Sequence, residues 1–476
     1  MFFNSLDYAI FLPIVFTLYW LLNGKHTLQN IVLLIASYIF YAWWDYRFLG
    51  LLVFSTMLDY YSGHKIDQAI GKNKKVWLII STTVNLGFLG VFKYYNFFID
   101  SLSSVIHSGG GSVQFTMLSI VLPVGISFYT FHGLSYVFDI YYGRTKPVNN
   151  VVEYSLFVSF FPLLVAGPIE RATHLLPQLQ KSRPFNYDQS VDGLRQILWG
   201  LFKKIVIADN CAEYVNLIFK HPEDYSGSTL VLGAVLFAFQ IYGDFSGYSD
   251  IALGSARLFG VELLRNFAYP YFSRDIAEFW RRWHISLSSW FRDYLYYPLG
   301  GSREGKAKAV RNTFIIFLVS GIWHGANWTF VIWGLLNAIY FLPLLLLNRN
   351  RNNLEIVAQG KVIPSFRELL SMLGTFALTT FAWIFFRADN VTKAFEYIAQ
   401  IFTSSVFNAP EIFPLTTLAL AGGLLIVEWL GREQPYALRS IGVKLPAYVR
   451  WGFYYTIIIL VFMYSGKEQQ FIYFQF

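Results

Sequence analysis

Apolar runs recur along the whole chain and constrain its fold more than any single motif does. They fall at Tyr8–Leu22, Ile31–Trp44, Phe48–Tyr61, Val76–Phe92, Phe115–Tyr141, Val151–Val165, Leu230–Tyr242, Thr313–Trp323, Trp328–Leu347, Leu369–Phe386, Leu415–Leu430 and Trp451–Tyr464. A helix that crosses a bilayer needs roughly 20 mostly apolar residues. Several runs are shorter than that, and Pro or Gly interrupts others at Pro123, Gly125, Pro162, Gly167 and Pro168. Short or broken helices are tolerated at membrane depth where protein or a water-filled cavity covers the backbone. The pattern predicts an all-α polytopic membrane protein with about ten to twelve transmembrane helices plus re-entrant helices.

Composition agrees. Charged residues make up 14% of the chain and hydrophobic residues 55%, where a soluble protein carries about a quarter charged. Phe, Tyr and Trp together reach 20%, and the last two favour membrane interfaces. The net charge of +8 comes from basic residues in loops between apolar runs. That placement marks topology beside anionic lipid rather than nucleic-acid binding. If the first five runs each span, one side receives Lys25, Lys65, Lys72, Lys74, Lys75, Arg144 and Lys146, and the other Arg47 and Lys93. The lysine-rich side is then cytoplasmic and Met1 lies outside. The N-terminus has neither a basic region nor a small-residue cleavage site, so no signal peptide is expected. The single cysteine, Cys211, excludes an internal disulfide framework and reads as a small buried hydrophobe.

Against this background, polar groups inside apolar sequence stand out. His324 lies in Gly321-Ile322-Trp323-His324-Gly325-Ala326-Asn327-Trp328, between two apolar stretches. An ionisable side chain at membrane depth is costly and is by default a functional-site hypothesis. The flanking glycines allow close backbone approach, and Asn327 can hydrogen-bond a ligand or neighbour. A neutral imidazole in a low-dielectric passage can take a proton from a hydroxyl. About forty residues upstream, Trp280-Arg281-Arg282-Trp283-His284 supplies a second histidine. A helix read from Asp275 to Arg292 pairs Glu278 with Arg282 and puts Trp280 and His284 on one face. Arg281 and Arg282 could instead reach lipid phosphates, and His284 could be a structural histidine. Gln240–Ile251 carries Asp244, Ser246, Tyr248 and Asp250 at the close of an apolar run. These groups either line a polar tunnel or bind a catalytic arginine, or they form a wet helix end. His132 reads as structural. The chain contains no Walker-type phosphate loop, no His-Glu-x-x-His zinc motif and no Gly-x-Ser-x-Gly elbow.

Taken together, these segments resemble the membrane-bound O-acyltransferase (MBOAT) family, in the branch that includes the alginate O-acetylation membrane protein. The resemblance rests on Ala166–Arg171, Asp244–Asp250, Arg265–Gly301, Gly321–Trp328 and the terminal Phe471–Phe476, in the family's order. It implies a ring of helices around a central tunnel joining the two membrane faces. Residues 1–476 are expected to form one integral-membrane domain, with N-terminal helices at 1–110, a catalytic core at 111–400 and C-terminal helices at 401–476. His324 matches the family's catalytic histidine. His284 matches a second signature position that is Asn, Asp or His in different branches. Substrate or tunnel contacts are expected from Trp323, Asn327, Trp280, Arg281, Asp244, Ser246, Tyr248 and Arg292. The implied reaction moves an acetyl group from a cytoplasmic thioester, acetyl-CoA, to a hydroxyl on a cell-surface polysaccharide such as alginate, cellulose or peptidoglycan, on a secreted SGNH-type acetyltransferase partner, or on a lipid. No metal or bound cofactor is implied. The expected location is the bacterial cytoplasmic membrane. The alternatives are D-alanyl transfer to teichoic acid and, from a different class, a polytopic transporter, which also uses broken helices and intramembrane histidines.

Overall fold

The computed structural model describes residues 1–111, 113, 115–165, 167–439, 445–466 and 469–472. Every regular element among them is helical, as the apolar runs require. Contacts divide the chain into two compact units, Met1–Tyr187 with Ala256–Leu263, and Asp188–Ser255 with Leu264–Phe476.

The first unit contains α1 (Leu6–Leu21), α2 (His26–Asp45), α3 (Leu49–Gln68), α4 (Lys72–Leu89), α5 (Tyr95–Ser108), α6 (Ile126–Tyr141), α7 (Val151–Ser159), α8 (Phe161–Leu164) and α9 (Ala172–Leu179). The Ser5 hydroxyl caps α1 by accepting from the Tyr8 amide at 3.2 Å. The apolar run Phe115–Tyr141 is not one helix. Its helical part begins only at Ile126, because Gly125 turns the chain with φ 74°. A Cβ at Gly125 would collide with the Leu164 carbonyl, so the turn needs glycine. The run Val151–Val165 is likewise divided at Phe160, just ahead of Pro162. Inside the unit, the Asp59 carboxylate accepts from Ser81 at 2.6 Å and from Asn85 at 2.8 Å. His132 packs on Phe157 with ring centroids 6.0 Å apart and contacts the Val158 carbonyl through Nδ1.

The second unit holds α10 (Tyr187–Leu201), a π-turn at Phe202–Ala208, α11 (Asp209–Lys220), α12 (Gly227–Leu258), α13 (Ile276–Arg282), α14 (Ile285–Phe291), α15 (Lys306–His324), α16 (Trp328–Leu346), α17 (Phe366–Arg387), α18 (Val391–Ile401), α19 (Leu415–Gly431) and α20 (Ala447–Tyr464). Its longest helix, α12, has 32 residues, and 83% of its apolar window is buried. Glycines bring α10 against α12. A Cβ on Gly200 would meet the Gly247 carbonyl, one on Gly247 would meet the Gly200 carbonyl, and one on Gly254 would meet the Gly193 carbonyl. Small residues in register allow membrane helices to approach this closely. The same device joins α15 to α16, where Gly321 abuts the Phe330 backbone and Gly334 abuts the Phe317 backbone.

Among the described residues, six helical stretches are long and apolar enough to cross a membrane: His26–Gln68, Lys72–Ser108, Gly227–Leu258, Trp328–Leu346, Phe366–Arg387 and Ala447–Tyr464. Leu6–Leu21, Val151–Leu164 (interrupted at Phe160) and Leu415–Gly431 are shorter apolar helical stretches.

Candidate active site

His284 is placed by a break in a helix. Asp275 caps α13, its Oδ1 accepting from the Glu278 amide at 2.7 Å. The helix stops after Arg282, Trp283 is extended, and His284 takes a left-handed backbone at φ 42°, ψ 54° before α14 begins. The continuous helix expected from Asp275 to Arg292 is therefore two short helices, and Trp280 and His284 do not share a face. Trp280 instead packs edge-on against Phe317 at 5.4 Å and Trp333 at 5.6 Å. The His284 ring turns toward Phe245 at 4.7 Å, Trp323 at 5.9 Å and His324 at 6.3 Å between ring centroids.

His324 is the last residue of α15. Gly325 leaves the helix in an extended conformation, and Asn327 caps α16 through its Oδ1, which accepts from the Thr329 amide at 3.0 Å. A Cβ at Gly325 would run into the Phe330 ring, so this glycine makes room for a neighbouring side chain. The imidazole of His324 lies among Trp323 at 5.0 Å, Trp333 at 5.1 Å and Phe386 at 5.3 Å. Behind it Trp333 stacks on Trp383 at 5.7 Å. His284 is 1% exposed and His324 3%. Two imidazoles thus lie near one another, their planes 68° apart, inside an aromatic shell where electrostatic interactions and proton transfers are weakly screened.

The other expected site residues have different partners. Arg281 donates to the carbonyls of Asn350 and Asn353, at 2.7 and 2.6 Å. Arg282 pairs with Glu278 at 2.7 Å, as the spacing predicts, and Glu278 also receives Arg274 at 3.1 Å. The pair Arg281 and Arg282 is therefore held by protein groups. The Asn327 amide nitrogen donates to the Asp389 carbonyl at 2.8 Å, so one end of its side chain caps α16 and the other holds the turn between α17 and α18. Arg292 pairs with Asp293 at 2.9 Å and lines a separate cavity of about 440 Å³ with Tyr296, Asn348 and Arg351.

Asp244, Ser246 and Tyr248 lie within α12, which continues to Leu258, so they do not close a helix. Their cationic partners are two lysines on the π-turn. Lys204 sits 2.8 Å from Asp244 and 2.7 Å from Asp209, and its ammonium lies 5.7 Å from the Tyr248 ring centre. Lys203 donates to Ser246 at 2.9 Å and pairs with Asp250 at 2.5 Å. Asp244 also accepts from the Ile472 amide at 2.7 Å, and Phe471 packs on Tyr248 at 4.5 Å. The tail up to Ile472 is thereby tied to α12. Residues 473–476 of the terminal motif, and Ala166 of the Ala166–Arg171 motif, lie outside the described residues.

The structure thus brings together His284, His324 and Trp323, with Trp280 one ring further out. Sequence reading missed Trp333, Trp383 and Phe386 as the walls of the site. Their only signal was an aromatic density shared with many other segments. It also missed Lys203 and Lys204, which are cations inside apolar sequence and as conspicuous as the histidines. Among the described residues, no group of three or more His, Cys, Asp or Glu side chains is arranged to hold a metal ion.

Comparison with known proteins identifies the class. Residues 148–381 match the model of MBOAT, the membrane-bound O-acyltransferase family. Over 435 residues the chain is 39% identical to the probable alginate O-acetylase AlgI of Azotobacter vinelandii, covering 90% of this chain and 84% of that protein. It is 36% identical over 418 residues to the peptidoglycan O-acetyltransferase of Helicobacter pylori, covering 82% and 77%. It is 30% identical over 232 residues to the teichoic acid D-alanyltransferase of Bacillus subtilis, covering 46% and 58%. The chain belongs to the membrane-bound O-acyltransferase family. It is a multi-pass membrane enzyme that transfers acyl groups from an acyl donor.

Proposed function

We propose that the protein transfers an acetyl group from cytoplasmic acetyl-CoA to a hydroxyl of a cell-surface polysaccharide, directly or by way of a secreted SGNH-type acetyltransferase, in the bacterial cytoplasmic membrane. The acetyl group is favoured because the alginate and peptidoglycan enzymes align over most of their length, whereas the D-alanyltransferase aligns over less than half of this chain. The donor enters from the side carrying Lys65 and Lys72–Lys75 and meets the acceptor in a tunnel at His324.

The observation that carries this reading is the meeting of the two buried imidazoles, 6.3 Å between centroids. In the proposed step the acceptor oxygen attacks the thioester carbonyl while His324 takes its proton. The tetrahedral intermediate collapses with cleavage of the C–S bond, and His324 returns the proton to the departing thiolate. His284, on the other side of the same space, donates a hydrogen bond to the oxyanion. Exclusion of water by Trp323, Trp333 and Phe386 and the fixed approach of the two substrates supply much of the remaining acceleration.

Purified protein given acetyl-CoA labelled in the acetyl group tests the proposal. Label transfer or donor hydrolysis that disappears in His324→Ala supports it. Uptake of an intact solute by proteoliposomes with no covalent change would identify a transporter instead.

A further inference from the structure

A left-handed backbone at a residue other than glycine persists only where the surroundings over-determine it. At His284 those surroundings include one short segment, Asn266-Phe267-Ala268. Before the histidine, the Ala268 amide donates to the Arg282 carbonyl at 2.9 Å, and Arg282 Nη1 donates to the Ala268 carbonyl at 3.2 Å. After it, the Ile285 amide donates to the Asn266 carbonyl at 2.9 Å. The Ser286 hydroxyl donates to Asn266 Oδ1 at 2.6 Å. Between these points Phe267 packs edge-on against Trp283 at 5.1 Å and Phe245 at 4.9 Å. Asn266 and Ser286 are both almost completely buried.

Most of this bracket uses backbone atoms that any residue would provide. The side chains in it are Arg282, which reaches the Ala268 carbonyl before the histidine, and Asn266, whose Oδ1 fixes the first turn of α14 through Ser286 after it. We infer that Asn266 is a positioning residue for His284, holding the imidazole toward His324 through Ser286 and the left-handed turn. Asn266 also lines a small polar cavity of about 20 Å³ with Lys203, Asp250, Arg265 and Glu428. The inference rests on the reading that His284 takes part in acyl transfer.

The test compares Asn266→Ala with Asn266→Asp in purified protein, reading kcat and KM for acetyl-CoA, with and without His284→Gly. Asn266→Asp keeps the acceptor for Ser286 and gives up no protein hydrogen bond of Nδ2 among the described residues. A small misplacement of a reacting group can cost on the order of 100-fold. Asn266→Ala should therefore lower kcat by about 10- to 100-fold with KM within about twofold. Asn266→Asp, which keeps the acceptor but adds a buried carboxyl, should recover part of that loss. In His284→Gly, which retains this backbone conformation without strain, Asn266→Ala should cause no further loss. Thermal melting in detergent identifies a variant that has merely unfolded, and the Asp variant keeps the comparison open in that event. If His284→Gly is impaired while Asn266→Ala turns over normally, or if the two losses multiply, Asn266 does not act through His284. If His284→Gly itself turns over at the wild-type rate, the functional reading of His284 fails and the inference falls with it.

Discussion

Phe245 meets His284 edge-on at 4.7 Å, one residue along α12 from Asp244, which holds the Ile472 amide. The helix that anchors the C-terminal residues also forms one wall of the histidine site. Changes at the two places should therefore be separable by what they damage.

The histidines themselves should differ in what can replace them. Removal of a general base typically costs about 10²–10⁴-fold, and neither Ala nor Gln can take up the proton. His324→Ala and His324→Gln are expected to be nearly inactive. An oxyanion donor can be replaced in part by another donor, so His284→Asn should retain measurably more turnover than His284→Ala. Acetyl transfer at matched membrane protein levels measures this. An active His324→Gln beside an inactive His284→Asn would require the two roles to be exchanged.

Asp244→Asn should act on stability first. It removes one of the two carboxylates that neutralise the buried Lys204 and weakens the acceptor for Ile472. Breaking a buried pair typically costs about 3–5 kcal/mol, and the surviving Asp209 places the expected loss near 3 kcal/mol. Thermal melting in detergent, with limited proteolysis of the tail, would show a lower melting point and earlier cleavage. An unchanged melt would mean that Asp209 alone satisfies the lysine.

Gly325→Ala should reduce turnover through packing. The added Cβ meets the Phe330 ring, which sits 4.8 Å from Phe386 in the wall of the site. Trimming that ring should relieve the collision, so Gly325→Ala with Phe330→Leu is expected to recover part of the lost activity. If the double variant is worse than Gly325→Ala alone, the glycine serves something other than this ring.

The loop around Glu411 carries a pH dependence of definite sign. The hydroxyls of Thr229 and Ser226 donate to its carboxylate, Ser226 at 2.7 Å, and hold its pKa down from 4.5 to about 2. A depressed carboxyl pKa contributes stability above the unfolded value and loses it as pH falls through the folded value. The difference in melting temperature between wild type and Glu411→Gln should thus be full at pH 6 and shrink between pH 4.5 and about 2. A difference that grows on acidification would reverse the assignment.

Topology is accessible to labelling from outside intact cells. With Met1 extracytoplasmic, Asn4→Cys should react with an impermeant maleimide and Lys74→Cys should not. The opposite pattern would place the donor's entry on the other face.

Membrane class, helical fold and family were legible because each is written in many residues at once. Hydropathy sums over whole helices, and the family motifs extend from Ala166 to the end of the chain. Less legible were features made by contacts between distant segments. Nothing in Trp283-His284 breaks a helix by composition, since neither is Gly or Pro. The turn there depends on pairing with Asn266 and Ala268, and so the Asp275–Arg292 periodicity read straight through it. Asp244 and Asp250 looked like a helix end because their partners, Lys203 and Lys204, come from another helix that the Gly200–Gly247 contact brings alongside. The walls supplied by Trp383 and Phe386 were hidden for the same reason. His324 stood out because an imidazole in apolar sequence is conspicuous before any contact is known.

The left-handed turn at position 284 limits its chemistry in advance. Besides glycine, the residues that enter this region of backbone space most readily are Asn, Asp and His. For the proposed oxyanion role, handedness and reach act together: the side chain has to be short, polar at its γ or δ atoms, and at ease with φ near 42°. Glutamine offers the same amide as asparagine but lacks this backbone preference and extends one methylene further. Two substitutions with identical functional groups thus become unequal at this residue, and the repertoire of donors open to the enzyme is narrower than hydrogen bonding alone would allow.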